Sequence, residues 1–363
     1  MPTPTLDDLR RYAVARTLGP PTTLARAIAR FGFVQADPIR APARAQDLTL
    51  RHRVAGYVAG DLERRYARLD VHEDFFVNYG FMSGPQWALM HPRRQFAPWD
   101  AATRRRARGV LAFVAERGRA HPREVDAHFA HGSVTNYWGG SSNATTHLLD
   151  GMHYRGLLRV VGRDNGIRVY APHVHVTHAR HPAARRARID ALVDVIVRKY
   201  APLPALTLST LIRRLRYAVP QHRDELGEAV ERAKARLGHA RVDGRDWYWP
   251  ADEDPRAADH EARAAVRLLA PFDPIAWDRL RFELLWGWAY RFEAYTPARK
   301  RKLGYYALPL IWRDRAIGWG NLAVEGGRLR PTFGYVDRKP ASDPLFKRAL
   351  EAELDAMRRF LAL

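Results

Sequence analysis

The chain has 363 residues, 47% of them apolar, which is enough for cores in two to four domains and rules out a disordered chain. Its 60 basic against 39 acidic residues leave a formal charge of +21, far beyond what solubility needs. A polyanion is the expected partner, and with no stretch that reads as a spanning helix or a long basic amphipathic anchor, nucleic acid is favoured over a membrane surface.

Cysteine is absent, which excludes disulfides, thiolate nucleophiles and cysteine-based zinc sites. The first residues, Met1 to Leu6, lack the basic-then-apolar pattern of a secretory signal, so a cytoplasmic, nucleoid-associated protein is expected. Thr5 is the predicted N-cap of a first helix, Leu6 to Arg16, with Asp7 and Asp8 in the turn that the helix dipole favours. After Gly19-Pro20-Pro21, Thr22 or Thr23 caps a second helix, Leu24 to Phe31, closed by Gly32.

The next stretch, Phe33 to Arg40, holds two polar residues among apolar ones. Phe33, Val34, Ala36 and Ile39 suit a buried extended segment, and Pro38 biases Asp37 away from helix. In extended backbone Gln35 and Asp37 share a face, roughly 7 Å apart, so that an amide and a carboxylate point into one site. The competing local reading is that Gln35 bonds backbone at a strand end while Asp37 opens a turn before Pro38. Arg40, Arg44, Arg51 and Arg53 follow within a short span and are candidates for phosphate contact. The aromatic run Phe75 to Phe81, with Trp87, reads as core rather than as a stacking platform for bases.

From residue 100 the pattern becomes helix, helix, helix, hairpin: Arg104 to Arg117, Pro122 to Phe129, Ala144 to Leu158, then two alternating runs around Asp164-Asn165-Gly166. The order repeats with Arg185 to Tyr200, Ser209 to Tyr217, Arg223 to Leu237 and a hairpin turning at Asp243-Gly244. Three helices and a hairpin make a winged helix, a helix-turn-helix variant that lays its third helix on DNA. Between the copies, His173, His175, His178 and His181 have no acidic neighbour and read as surface histidines, not metal ligands.

The C-terminal part is rich in aromatic residues and glycine. Tyr290 to Pro297, Gly304 to Trp312, Ala316 to Val324 and Leu329 to Val336 are strand-like runs, with Arg299, Lys300, Arg301 and Lys302 on a connection expected to meet the DNA backbone. A helix from Pro344 closes the chain, its expected apolar side being Leu345, Phe346, Leu350, Leu354, Met357 and Leu361. The predicted fold is therefore α+β, with three tandem winged-helix modules (1–95, carrying the Gln-x-Asp strand; 96–180; 181–260) and a β-rich domain with a terminal helix (261–363).

Phe33 to Arg40, Ala43 to Leu50, Pro271-Phe-Asp-Pro274, Trp277-Asp-Arg279 and Tyr295 to Pro309 together resemble the winged-helix DNA glycosylases typified by AlkZ and AlkX (YcaQ). The resemblance covers nearly the whole chain, and its Gln35-Ala36-Asp37 triplet is similar to the AlkX branch, where AlkZ has glutamine in the third place. It implies a monofunctional glycosylase that removes N7-alkylated purines, bulky ones included, with the unhooking of interstrand crosslinks in its range. The implied partner is duplex DNA, bound by a monomer without metal or cofactor. Gln35 and Asp37 would be catalytic: N7-alkylation makes the purine a good leaving group, so the enzyme's task is to stabilise an oxocarbenium-like sugar and to direct a water at it. The rival expectation is a winged-helix transcription regulator, which the charge and the tandem modules serve equally well.

Overall fold

The computed structural model describes residues 3–94, 98–135, 141–179, 181–337 and 343–363. Helices and antiparallel sheets are mixed, with a β-rich C-terminal region and a terminal helix. Two compact units divide the chain.

The first unit gathers Met1–Leu62, Val193–Ile212 and Val230–Leu363. It opens with the helix Leu6–Thr17, whose Thr5 and Asp8 cap each other reciprocally at 2.8 and 3.2 Å. The helix Leu24–Phe31 follows, capped by Thr23 and ended by Gly32 at φ 67°, a left-handed position that glycine takes without strain. A small sheet pairs Leu203–Pro204 with the hairpin Gly238–Val242/Arg245–Trp249, which turns through Asp243 and Gly244, both at positive φ.

The main sheet is four-stranded and antiparallel, in the order Val266–Leu268, Leu308–Trp312, Arg315–Glu325, Arg328–Tyr335. Gly334 lies opposite Trp319, and a Cβ there would meet the indole at 2.2 Å. Leu269, Ile275, Phe282, Tyr290, Ala307 and Ile311 form the buried core behind the sheet. Val266–Leu268 and Arg328–Tyr335 are its edge strands. The run Tyr290 to Pro297, expected as a strand, instead bends into a loop around buried Glu293, whose Oε2 accepts from the backbone N–H groups of Lys302 (2.8 Å) and Leu303 (2.7 Å).

A second difference is the terminal helix, Pro344–Leu361. It buries Phe346, Glu353, Met357 and Phe360, a stripe spaced by three, four and seven, so that Leu345 falls off the face and is 45% exposed. Glu353 can be buried because its Oε1 accepts from Leu268 N (2.8 Å) and pairs with Arg51.

The second unit comprises Glu63–Leu192 and Arg213–Ala229. Its helices Ala101–Arg117, Pro122–Phe129 and Ala144–Tyr154 precede the hairpin Leu158–Asp164/Ile167–Pro172, which turns at Asn165 and Gly166, both at positive φ. The third helix stops before the expected Leu158 because Gly156 turns the chain at φ 74° and the first strand begins at Leu158. The aromatic run forms an additional hairpin, Val71–Phe75/Tyr79–Ser83; Phe76, Phe81 and Trp87 are core as expected, whereas Phe75, on the other face of its strand, is exposed.

Asp74, with no exposed surface, accepts from Trp87 Nε1 (2.9 Å) and Arg93 Nη1 (3.0 Å) and bonds His91 Nε2 (2.8 Å). The histidine stretch alternates: Val174, Val176 and His181 are exposed, whereas His173, His175 and His178 are half-buried, His173 packing on Trp87 (ring centroids 4.3 Å) and His175 stacking on His91 (5.6 Å).

Candidate active site

The Gln35/Asp37 segment is anchored before it reaches the site. Phe33 and Val34 are fully buried, and the strand proper is only Val34–Gln35, since Pro38 has no N–H to continue a ladder. The ammonium of Lys199, itself buried, donates to the Phe33 carbonyl and sits 4.4 Å from that ring's centroid. Burial drives the Lys199 pKa well below the ordinary lysine value, with Asp273 opposing the shift.

Asp37 is then clamped from the helix Ala45–Leu50. Its backbone N–H donates to Oε1 of buried Gln46 at 3.2 Å, and its own Oδ1 accepts from Ile39 N at 2.9 Å. Asp37 therefore does open a turn at Pro38, and the turn is what holds the carboxylate: one oxygen is fixed locally while Oδ2 takes no hydrogen bond from any described residue. Gln35 and Asp37 are both half-buried. Burial raises the Asp37 pKa above the ordinary carboxylate value, and the Ile39 N–H partly offsets this.

The walls come from sequence blocks far away in the chain. Asp37 acts electrostatically on the buried phenol of Tyr306, as does Tyr295, which is 80% exposed beside the basic connection. Phe292 joins this set, its ring 5.4 Å from Tyr306 and 5.0 Å from Phe272. Next in sequence to Phe272, Asp273 takes a fork from Arg53, Nη1 to Oδ2 at 2.6 Å and Nη2 to Oδ1 at 3.0 Å, with both side chains buried. Asp47, next to Gln46, accepts from Tyr57 Oη (2.7 Å) and Gly60 N (3.1 Å), so this helix is tied down at both neighbouring positions.

The basic residues separate into two kinds. Arg40, Arg299, Lys300 and Lys302 are exposed, and Arg44 is half-buried at the start of the helix Ala45–Leu50. Arg301 is partly held, its Nε donating to Thr296 O at 2.8 Å and its guanidinium lying 5.0 Å from the Tyr305 ring centroid. Arg51, expected among the phosphate contacts, faces inward: its side chain is 4% exposed, pairs with Glu353 and donates to Leu268 O at 3.1 Å. Among the described residues, no group of three or more His, Asp or Glu side chains is arranged to hold a metal ion.

Sequence reasoning alone missed Lys199, Gln46 and Tyr306 as parts of this site. Lys199 carries a legible signal, being one of six lysines in a chain with 54 arginines and following closely on the apolar Val195-Ile196-Val197.

The model of the AlkZ-like DNA glycosylase family matches residues 28–360, a span that includes the Gln35/Asp37 segment, the Gln46 helix and Tyr306. The chain belongs to the AlkZ-like DNA glycosylase family. DNA is accordingly its substrate class. The fold agrees: the solved structure of Streptomyces sahachiroi DNA glycosylase AlkZ superposes with a TM-score of 0.61 at 14% identity, covering 99% of this chain and 97% of that one. Within the AlkZ-like family frame, the regulator reading gives way to an enzyme, and no helix among the described residues is long and apolar enough to cross a membrane.

Proposed function

We propose that this DNA glycosylase hydrolyses the N-glycosidic bond of N7-alkylated purines, bulky adducts and crosslinked bases included, and leaves an abasic site. The observation that carries the reading is Asp37: a half-buried carboxylate fixed through Oδ1 and its backbone N–H, with Oδ2 available to the reaction. N7-alkylation places positive charge on the base, which leaves without protonation. What the protein must supply is negative charge near the developing oxocarbenium and a water held in line, and Asp37 and Gln35 are suited to those two tasks.

A monofunctional course is favoured because Lys199, the lysine that bonds the strand leading into the motif, is buried and committed to the Phe33 carbonyl, so it offers no amine to the sugar. The three-helix-plus-hairpin segments are read as winged helices that bind duplex DNA, and Arg40, Arg44 and the Arg299–Lys302 connection as phosphate contacts. Arg51 and Arg53 are removed from that set by their inward pairing with Glu353 and Asp273.

The test is single-turnover excision from a duplex carrying one N7-alkylguanine, with alkali to reveal abasic sites, comparing wild type and Asp37→Asn. The expected result is a loss of about 100-fold or more in rate with DNA affinity unchanged. For wild type, the rate should fall on the acid side at a pH above the ordinary carboxylate value, since burial raises the Asp37 pKa and the protonated acid cannot stabilise the cation. Undiminished excision by Asp37→Asn would remove the assignment.

A further inference from the structure

Most tyrosine and phenylalanine rings of this chain are buried or half-buried. Among the described residues Phe75, Tyr217, Tyr295 and Tyr305 are exposed, and the two most exposed, Tyr295 at 80% and Tyr305 at 45%, lie on the connection that carries Arg299, Lys300, Arg301 and Lys302. A single exposed ring is ordinary on a protein surface, but rings interleaved with cations on one loop have the composition of a surface that meets nucleic acid. Tyr305 already has a partner, the Arg301 guanidinium 5.0 Å from its ring centroid. The one other ring that Tyr295 meets among the described residues is Phe292, at 78° with centroids 6.0 Å apart, and most of the tyrosine stays uncovered. The backbone beneath it is braced. Glu293 and Ala294 are buried, Thr296 N donates to Glu293 O at 2.9 Å, and Thr296 O accepts from Arg301 Nε at 2.8 Å. Glu293 Oε2 holds the N–H groups of Lys302 and Leu303, and Asn321 Nδ2, on the strand Arg315–Glu325, donates to Leu303 O at 2.7 Å. Gly304, at φ 119°, fits closely there, since a Cβ would meet Asn321 Oδ1 at 2.3 Å. A tyrosine has only two side-chain torsions to order, and with its backbone fixed in advance a partner that covers the ring sacrifices little entropy.

We propose that Tyr295 is a base-stacking residue, its ring packing on the face of a base left uncovered beside the damaged nucleotide while the neighbouring cations hold phosphates. The inference rests on the reading of the Arg299–Lys302 connection as a DNA contact. Cations on phosphates bind any duplex alike, because the backbone carries no record of damage. An intact duplex hides its base faces in the stack, whereas a missing or displaced base uncovers the faces of its neighbours. A ring that takes up such a face adds affinity only where the stack is broken. Tyr295 is thereby the part of this loop that distinguishes damaged from intact DNA.

The test is equilibrium binding of the full chain, as wild type, Tyr295→Phe and Tyr295→Ala, to two duplexes of one sequence, one intact and one carrying a tetrahydrofuran abasic-site analogue, each over a range of salt. Tyr295→Ala should bind the abasic duplex about 5- to 100-fold more weakly, the scale of one base–aromatic stack. Its affinity for the intact duplex, its salt slope on both and its melting temperature should stay at wild-type values, since no phosphate contact and little buried surface is removed. Tyr295→Phe should match wild type throughout, because the ring remains. A loss in Tyr295→Phe equal to that in Tyr295→Ala would overturn the proposal in favour of a hydroxyl bond to phosphate. Equal loss on both duplexes, or a lowered melting temperature, would overturn it in favour of a general backbone contact or a structural role. Wild-type affinity of Tyr295→Ala for the abasic duplex would overturn it outright. The phosphate reading beneath it is decided separately, by the salt slope of the variant with Arg299, Lys300 and Lys302 replaced by alanine, and none of these binding measurements depends on Asp37.

Discussion

Asp273 and Asp37 are carboxylates of one unit with opposite assignments, and their partners explain why. Both oxygens of Asp273 accept from the Arg53 fork, Oδ1 also accepts from Ile275 N at 3.1 Å, and the residue has no exposed surface. Such a carboxylate is saturated and structural. Removing it with Asp273→Ala leaves the Arg53 guanidinium buried without its counter-charge, beside a Lys199 that Asp273 helps to keep charged. Breaking a buried pair in this way costs about 3–5 kcal/mol. Denaturant unfolding of the variant should show that loss; a change below about 1 kcal/mol, the scale of an exposed pair, would mean that the fork contributes little. Asp37, by contrast, holds one oxygen back from the protein, and a carboxylate with spare acceptor capacity at a half-buried position is the one available to chemistry.

Local chemistry explains those elements whose turns demand particular residues. Asn165-Gly166 and Asp243-Gly244 both adopt positive φ, which few other pairs do without strain, and both hairpins lie where the sequence placed them. The connection after Tyr295 is different. It is shaped by buried Glu293, which gathers the N–H groups of Lys302 and Leu303, so the exposed Arg299, Lys300 and Lys302 sit on a braced loop rather than a loose one. Replacing those three by alanine should weaken DNA binding and make the plot of log affinity against log salt shallower by about 2–3, close to 0.9 for each phosphate no longer neutralised. The single-turnover rate at saturating enzyme should be unchanged. An unaltered salt slope would show that these cations do not touch the backbone.

At the scale of the whole molecule, the second unit carries an acid-sensitive core. Burial pulls His91 down to about 4, against the opposing pull of Asp74, and burial together with its histidine neighbours pulls His173 down to about 3. In the unfolded chain both titrate near the ordinary histidine value of about 6.5. Between those values the unfolded state binds the extra protons, so the stability these residues contribute is full above about pH 6.5 and declines as the pH falls toward about 4 and below. The melting temperature should be flat above about pH 7 and drop through that window, and His173→Phe should lessen the drop. A melting temperature that stays level from about pH 7 to about pH 4 would count against it.

The nucleic-acid partner, the helices Leu6–Thr17 and Leu24–Phe31 with their caps, the two Gly-containing hairpin turns and the Gln35/Asp37 candidate pair were legible in the sequence, because charge, helical period and turn chemistry act over a few residues; the short helices Ala45–Leu50 and Arg279–Trp286 were not. Tertiary structure decided what depends on residues distant in the chain. It turned Arg51 inward onto Glu353, 302 positions away. It brought Gln46, Lys199 and Tyr306 to one motif, and took an edge strand from Val266–Leu268 instead of the run at Tyr290. The two units also exchange chain inside the helices Pro182–Tyr200 and Leu226–Arg236, where no linker composition marks a boundary. The physical reason is common to all of these: local pattern records what a residue can do in its own element, whereas burial and hydrogen-bond saturation are settled by whichever side chains the completed fold places against it.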